Sequence, residues 1–121
     1  MRESQIQRQI LLYLGSRPDM RFWRSAAGAA RNPVTGEVIH FGMPGQPDLT
    51  GLRETTCPAC GARGPAQFVG IEVKSRDGSL TELQARFGAQ ITAHGGLFVV
   101  SRSLEEACRA LGISPPRHLG R

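Results

Sequence analysis

The chain has 121 residues, 40% of them apolar, and a net charge of +5. This length allows one hydrophobic core and one domain. No run of about 18 or more apolar residues is present, so the sequence predicts no transmembrane helix and no membrane partner. Charged and polar side chains interrupt residues 1–14, which is not typical of a signal peptide. We therefore expect an intracellular, cytoplasmic protein, with a phage gene in a bacterial host as one source to consider.

The first half of the chain predicts one helix and several short strands. Apolar residues at helical spacing indicate a helix over 4–14, closed by Gly15. Strands are expected at 22–24, 38–41 and 47–51, while the small-residue stretch 25–30 has no clear signal. Residues 53–66 contain Gly, Pro and two cysteines. We interpret them as an insertion between strands.

The second half predicts strand, helix, strand and helix. Phe68 to Val73 is a continuous apolar run broken by Gly70 and Glu72, as expected of a central strand. The next helix begins at a capping box formed by Ser79 with Glu82 or by Thr81 with Gln84. Its expected apolar face is Leu80, Leu83, Phe87 and Ile91. A buried strand at 97–100 precedes a helix capped by Ser103 with Glu106, whose expected inner face is Leu104, Ala107, Cys108 and Leu111.

This order of elements predicts an α/β fold. A helix, three core strands, a helix, a strand and a last helix would form one domain over residues 1–113. A strand–helix–strand unit implies a right-handed crossover and a mixed sheet flanked by helices. Residues 114–121 form a basic, Pro-containing tail that we expect to be poorly ordered.

Two carboxylates and a lysine form the candidate chemical centre. The positive charge comes from fourteen arginines and one lysine, Lys74. A GC-rich genome would give the same arginine excess, so the positive charge alone is weak evidence that the protein binds nucleic acid. The single lysine is more informative, because guanidinium cannot replace a compact ammonium. Glu72 and Lys74 project from the same face of a strand. If the two strands pair, Asp48 lies close enough to Glu72 to share Mg²⁺ or Mn²⁺. Alternatively, these residues form a solvated strand face and a turn.

Several segments in this order resemble the VRR-NUC branch of the PD-(D/E)xK nuclease superfamily. They are Gly45-Gln46-Pro47-Asp48-Leu49, Ile71-Glu72-Val73-Lys74, Gly78-Ser79-Leu80-Thr81-Glu82-Leu83-Gln84, the opening Glu3-Ser4-Gln5-Ile6-Gln7, and Phe22-Trp23-Arg24 with Gly28. The resemblance covers nearly the whole chain up to the last helix. It implies a restriction-endonuclease-like αβββαβ core and a divalent-metal-dependent endodeoxyribonuclease.

The resemblance also implies roles for single residues. Asp48, Glu72 and the Val73 carbonyl would bind Mg²⁺ or Mn²⁺, and Lys74 would be the catalytic lysine. Gln84 would face the active site to orient Lys74 or phosphate, although it also suits a helix cap. Glu3 would approach the metal, although a carboxylate is also favoured at a helix N-terminus.

Stand-alone minimal members of this family resemble Holliday-junction resolvases, which act on branched DNA as homodimers. A flap, end or nicking repair nuclease of the same fold is the alternative enzyme, and a basic DNA-binding zinc-knuckle module is the non-catalytic alternative. The candidate contacts with DNA phosphates are Arg24, Arg31, Arg76 and Arg86. For any one of them, a solvated surface arginine is the favoured interpretation.

The Cys57-Pro58-Ala59-Cys60-Gly61 segment has the sequence of a zinc knuckle. A structural Zn²⁺ needs four ligands, and the remaining candidates are Cys108, His40, His94 and His118. Cys108 falls on an apolar helix face, where a buried free thiol is expected. We therefore favour reduced or vestigial cysteines over a structural zinc. A Cys₄ site shared by two chains, and substrate contacts from the insertion, stay open.

Overall fold

The computed structural model describes residues 1–117, and within them no helix is both long and apolar enough to cross a membrane. The elements in chain order are α1 (Glu3–Gly15), β1 (Met20–Arg24), β2 (Gly28–Arg31), β3 (Val38–Phe41), β4 (Leu49–Arg53), β5 (Gln67–Val73), α2 (Glu82–Ala93), β6 (Leu97–Ser101) and α3 (Leu104–Leu111). The predicted helices and strands are therefore present. Residues 114–117 of the predicted tail form no helix or strand, and 118–121 lie outside the described residues.

The main sheet has four strands in the order β1-β4-β5-β6. β4 is antiparallel to β1 and to β5, whereas β6 is parallel to β5 and follows it through α2. The predicted α/β class, with a mixed sheet flanked by helices, is confirmed. β2 and β3 form a separate antiparallel hairpin between β1 and β4. β4 extends to Arg53, so the insertion begins one residue later than expected and covers 54–66.

The hydrophobic core lies between one face of this sheet and helices α1 and α3. Because side chains alternate along a strand, Leu49, Val69, Ile71 and Val73 all point to this face and are fully buried. α1 contributes residues spaced four apart, namely Ile6, Ile10 and Leu14. The four residues predicted for the inner face of α3 are all buried, so that prediction is confirmed.

Helix α2 packs on the opposite face, against β5 and β6. Gly70 permits this approach, because a Cβ there would lie 2.7 Å from the Pro47 ring and 2.9 Å from Ile91. The predicted apolar face of α2 is wrong at Leu80, which precedes the helix, and at Leu83, which is 51% exposed. The helix is rotated so that Gly88 contacts the Phe98 ring, and this leaves Leu83 beside the exposed loop at Met43.

The strand β2 had no signal in the sequence. Its residues, Gly28 to Arg31, are all exposed, and small residues have low strand propensity. They are extended because each is paired with a residue of β3. At the start of α2, Thr81 and Gln84 form the capping box, so this pair caps the helix instead of Ser79 with Glu82.

Candidate active site

The pairing of β4 with β5 places Asp48 opposite Glu72. Leu49, the first residue of β4, pairs with Ile71 in antiparallel register. Asp48, just before β4, therefore faces Glu72, which follows Ile71 on β5. The Val73 backbone N–H donates a hydrogen bond of 2.8 Å to Asp48 Oδ2. This bond fixes one carboxylate oxygen of Asp48 at the end of the ladder and anchors the side chain against β5.

The carboxyl group of Glu72 is buried and only partly satisfied. The residue is 2% exposed; its Oε2 accepts a 3.2 Å hydrogen bond from Gln84 Nε2 and lies 3.6 Å from Lys74 Nζ. Its Oε1 has no hydrogen-bond partner among the described residues. Burial, and then the negative charge of Asp48, raise the pKa of Glu72 to about 8, while Lys74 opposes this shift. Such a group is costly to ionise unless a further cation lies beside it.

Lys74 is also buried, with 8% of its surface exposed. It continues β5, and its backbone N–H donates to the Ser101 carbonyl at 2.9 Å. The next residue, Ser75, contacts helix α1, because its N–H donates a hydrogen bond of 3.1 Å to Glu3 Oε2. Glu3 therefore reaches the turn that follows the lysine, and its carboxylate also lies beside Gly78.

Ser25 contacts the backbone of both Pro47 and Asp48. Its N–H donates to the Asp48 carbonyl at 2.8 Å, and its Oγ donates to the Pro47 carbonyl at 2.9 Å. The same Oγ lies 2.6 Å from Thr50 Oγ1. These contacts hold the backbone on both sides of Asp48, yet Ser25 lies in a small-residue stretch whose sequence gives no sign of them.

Arg102 is a second residue that the sequence did not reveal. Its Nη1 donates to the carbonyls of Ser75 and Gly78, each at 2.6 Å. The guanidinium therefore clamps the turn that follows Lys74. In a chain with fourteen arginines, no pattern distinguishes this one, because its partners are backbone atoms.

The four arginines proposed as phosphate contacts are spread over the surface. Arg24 donates to Gln7 of α1, and Arg31 donates to the Gly36 carbonyl within the hairpin. Arg86 forms an exposed ion pair of 2.7 Å with Glu82. Arg76 is exposed two residues after Lys74 and is the member of this set nearest to that lysine along the chain.

The cysteines are remote from this centre. Cys57 and Cys60 lie in the insertion, which joins the end of β4 to the start of β5, whereas Asp48 and Glu72 lie at the opposite ends of those strands. Backbone N–H groups of Cys60 and Ala59 lower the pKa of the Cys57 thiol, while burial raises that of Cys108. His118, a further zinc candidate, lies outside the described residues.

The donor atoms suit a hard divalent cation that keeps part of its water shell. Within residues 1–117, no group of three or more His, Cys, Asp and Glu side chains is placed to hold a metal. The centre instead offers the two carboxylates of Asp48 and Glu72 beside the backbone of Val73, with one Glu72 oxygen free of other partners. Mg²⁺ commonly binds through one or two carboxylates and retains several waters, so the residues present fit such an ion.

No protein-family model, no curated protein and no solved structure matches this chain. The chemistry of the site therefore has to be inferred from the arrangement of its own side chains. That arrangement combines a buried Glu72 carboxyl group opposite the half-buried Asp48, a buried lysine, and an amide that contacts Glu72.

Proposed function

We propose that this chain is a divalent-metal-dependent endodeoxyribonuclease with a restriction-endonuclease-like core. The observation that carries the proposal is the Glu72 carboxyl group, buried opposite Asp48, with one oxygen unpartnered and a buried lysine 3.6 Å from the other. Placing the buried Glu72 carboxylate beside the half-buried Asp48 opposes folding unless cations neutralise both charges. A protein that only bound DNA would gain nothing from acids facing phosphate.

Each residue of the centre has a specific task in this proposal. Asp48 and Glu72, with the Val73 carbonyl, would hold Mg²⁺ or Mn²⁺, which polarises a phosphodiester and makes bound water more acidic. Lys74 would stabilise the negative charge that develops on the phosphate. Gln84 orients Glu72 through the hydrogen bond to Oε2. Glu3 would act through the Ser75 backbone.

We propose branched DNA, such as a four-way junction, as the substrate. A net charge of +5 favours a polyanion, and a shape-reading enzyme needs phosphate contacts more than base contacts. A cleft of about 460 Å³ lies between the β2–β3 hairpin and the loop that ends at Gly45, three residues before Asp48. A homodimer would give two active sites for the two strands cut in a junction.

The test is cleavage of a labelled four-way junction, a flap and a linear duplex in Mg²⁺ or Mn²⁺. We expect junction cleavage by the wild-type protein and its loss in Asp48→Asn and Lys74→Ala. Glu37→Gln is the matched control, because Glu37 is exposed in the hairpin. Activity that survives in both site variants would sink the assignment of the centre.

The substrates separate the alternatives. Preference for the flap or for duplex ends would indicate a repair nuclease of the same fold, and equal cutting of all three would remove only the junction claim. Binding of DNA without cleavage of any substrate by metal-loaded protein would favour a non-catalytic DNA-binding module.

A further inference from the structure

The cysteine loop, residues 54–66, is closed at its base by backbone contacts. Thr56 and Arg63 form an isolated antiparallel bridge, and Gly64 N–H donates to the Thr55 carbonyl at 2.9 Å. Thr55 Oγ1 adds a bond of 2.6 Å to the Pro65 carbonyl. The loop is therefore a closed hairpin whose tip is largely exposed.

The tip of this loop, residues 57–61, has the backbone geometry that brings two thiols to one metal. Gly61 N–H donates to the Cys57 carbonyl at 2.8 Å, and Cys57 N–H donates to the Ala62 carbonyl at 2.7 Å. Gly61 adopts a φ of +74°, a conformation that favours glycine. Backbone hydrogen bonding from Cys60 and Ala59 also lowers the pKa of the Cys57 thiol. Both cysteines are free thiols.

The described part of one chain supplies only half of a tetrahedral thiolate site. Cys108 is buried on the inner face of α3, and the His94 ring contacts the Gln90 carbonyl at the end of α2. No third His, Cys, Asp or Glu joins the two cysteines within residues 1–117. Structural zinc sites are almost always four-coordinate and closed, so two ligands have to come from elsewhere.

A second copy of the chain can reach this tip. Cys60 and its neighbours in the tip are exposed, and Cys57 is half-buried. At the strand ends from which the loop emerges, Leu52 and Phe68 pair across β4 and β5 and are 42% and 41% exposed. This apolar pair gives a partner a surface to cover beside the thiols, as an isologous contact requires.

We propose that Cys57 and Cys60 of two chains together bind one Zn²⁺ as a Cys₄ site on a twofold axis, and that this metal links a homodimer. The site lies at the opposite end of β4 and β5 from Asp48 and Glu72, so each chain keeps its acidic centre open. Soft thiolates select Zn²⁺ here, whereas the carboxylates suit a hard ion. The proposal does not depend on nuclease activity.

The test uses the full-length protein, reduced and loaded with Zn²⁺ or Co²⁺. We expect one metal ion for every two chains, a visible spectrum of tetrahedral cobalt tetrathiolate, and a dimer by light scattering that a strong chelator converts to monomer. Cys57→Ser with Cys60→Ser should lose the metal and the dimer together. Cys108→Ala is the matched control and should retain both.

Several results would overturn the proposal. A ratio of one metal ion to each monomer would show that all the ligands come from one chain. Loss of the metal in His118→Ala would show that this histidine is a ligand and that the site is not Cys₄. A dimer that survives both chelation and the cysteine changes would show that zinc does not link the chains. Failure of the wild-type protein to retain either metal would exclude the site. Circular dichroism of the double variant distinguishes loss of metal from loss of fold.

Discussion

Glu72 links the stability of the protein to the chemistry of its candidate site. The pKa of this carboxyl group is raised from an ordinary value of 4.5 to about 8, first by burial and then by Asp48. Between these two pH values the folded protein retains a proton that the unfolded chain releases, so the metal-free protein loses stability as the pH rises through this window. Above about pH 8 the loss is complete and constant.

Glu72→Gln should therefore stabilise the metal-free protein while removing a metal ligand. We expect the free energy of unfolding near pH 8 to rise by about 1–3 kcal/mol and its decline from pH 4.5 to flatten. Urea unfolding in the presence of a chelator measures both quantities. Glu37→Gln, at an exposed position, is the control. An unchanged pH profile in Glu72→Gln would mean that another group controls the decline.

Lys74 is a second residue whose chemistry can be tested by a conservative change. The residue is 8% exposed and its Nζ lies 3.6 Å from Glu72 Oε2, and a planar guanidinium does not reproduce the compact point charge of an ammonium. We expect Lys74→Arg to lower the rate of junction cleavage by about 100-fold or more. Arg109→Lys, on the exposed side of α3, should cut normally. Full activity in Lys74→Arg would show that only positive charge is needed.

At the scale of elements, the turn after β5 is held by one side chain that follows β6 and by one from α1. Arg102, just after β6, bonds the carbonyls of Ser75 and Gly78, and Glu3 of α1 bonds the Ser75 N–H. Arg102→Ala should lower kcat for cleavage with little change in KM, because it loosens the turn that positions Lys74 and removes no phosphate contact. It should also destabilise the protein by about 1 kcal/mol. Arg109→Ala is the control, and a change in KM alone would point to a DNA contact instead.

The packing of α2 on the sheet also determines where Asp48 lies. A Cβ at Gly70 would meet the Pro47 ring at 2.7 Å and Ile91 at 2.9 Å. We expect Gly70→Ala to destabilise the fold by about 1–3 kcal/mol, as measured by thermal or urea unfolding. Gly15→Ala is the matched control, because a Cβ there has nothing within 4 Å. Equal stability of the two variants would contradict this packing.

The elements that could be predicted from the sequence are those whose side chains repeat with the period of the structure. The inner face of α3 was predicted correctly, as was the pairing of Glu72 with Lys74 on one strand face. Leu83 was placed wrongly because Gly88 and Phe98 set the rotation of α2, and a contact between helix and sheet leaves no periodic signal. The exposed hairpin strand β2 was missed for a similar reason, since only its pairing with β3 keeps it extended.

Of the residues in the candidate site, the sequence indicated only the acids, the lysine and Gln84. Gln84 was expected from the resemblance to face the active site, and its amide reaches Glu72. Ser25 and Arg102 were not predicted because their side chains donate to backbone carbonyl groups. Any residue type presents those groups, so the partners of such a side chain cannot be recognised from the sequence.

At the scale of the whole molecule, the two proposed metal centres lie at opposite ends of the central strands. The acidic centre of Asp48 and Glu72 lies where β5 ends, and the cysteine loop lies where β5 begins. A dimer joined through the cysteines would hold two acidic centres at a fixed separation, as two cuts in one branched DNA require. The double cysteine variant should therefore nick a junction singly and lose paired cleavage, as resolved on a cruciform plasmid. Paired cleavage by a monomeric variant would contradict this coupling.

The nuclease proposal is tested most directly by the rate at which the purified protein cuts a labelled four-way junction in Mn²⁺, measured for the wild type, Glu72→Gln and Glu37→Gln. We predict cleavage by the wild type and by Glu37→Gln, none in the presence of chelator, and a loss of about 100-fold or more in Glu72→Gln. Equal rates for the wild type and Glu72→Gln, or no cleavage of the junction by any of the three proteins, would contradict it.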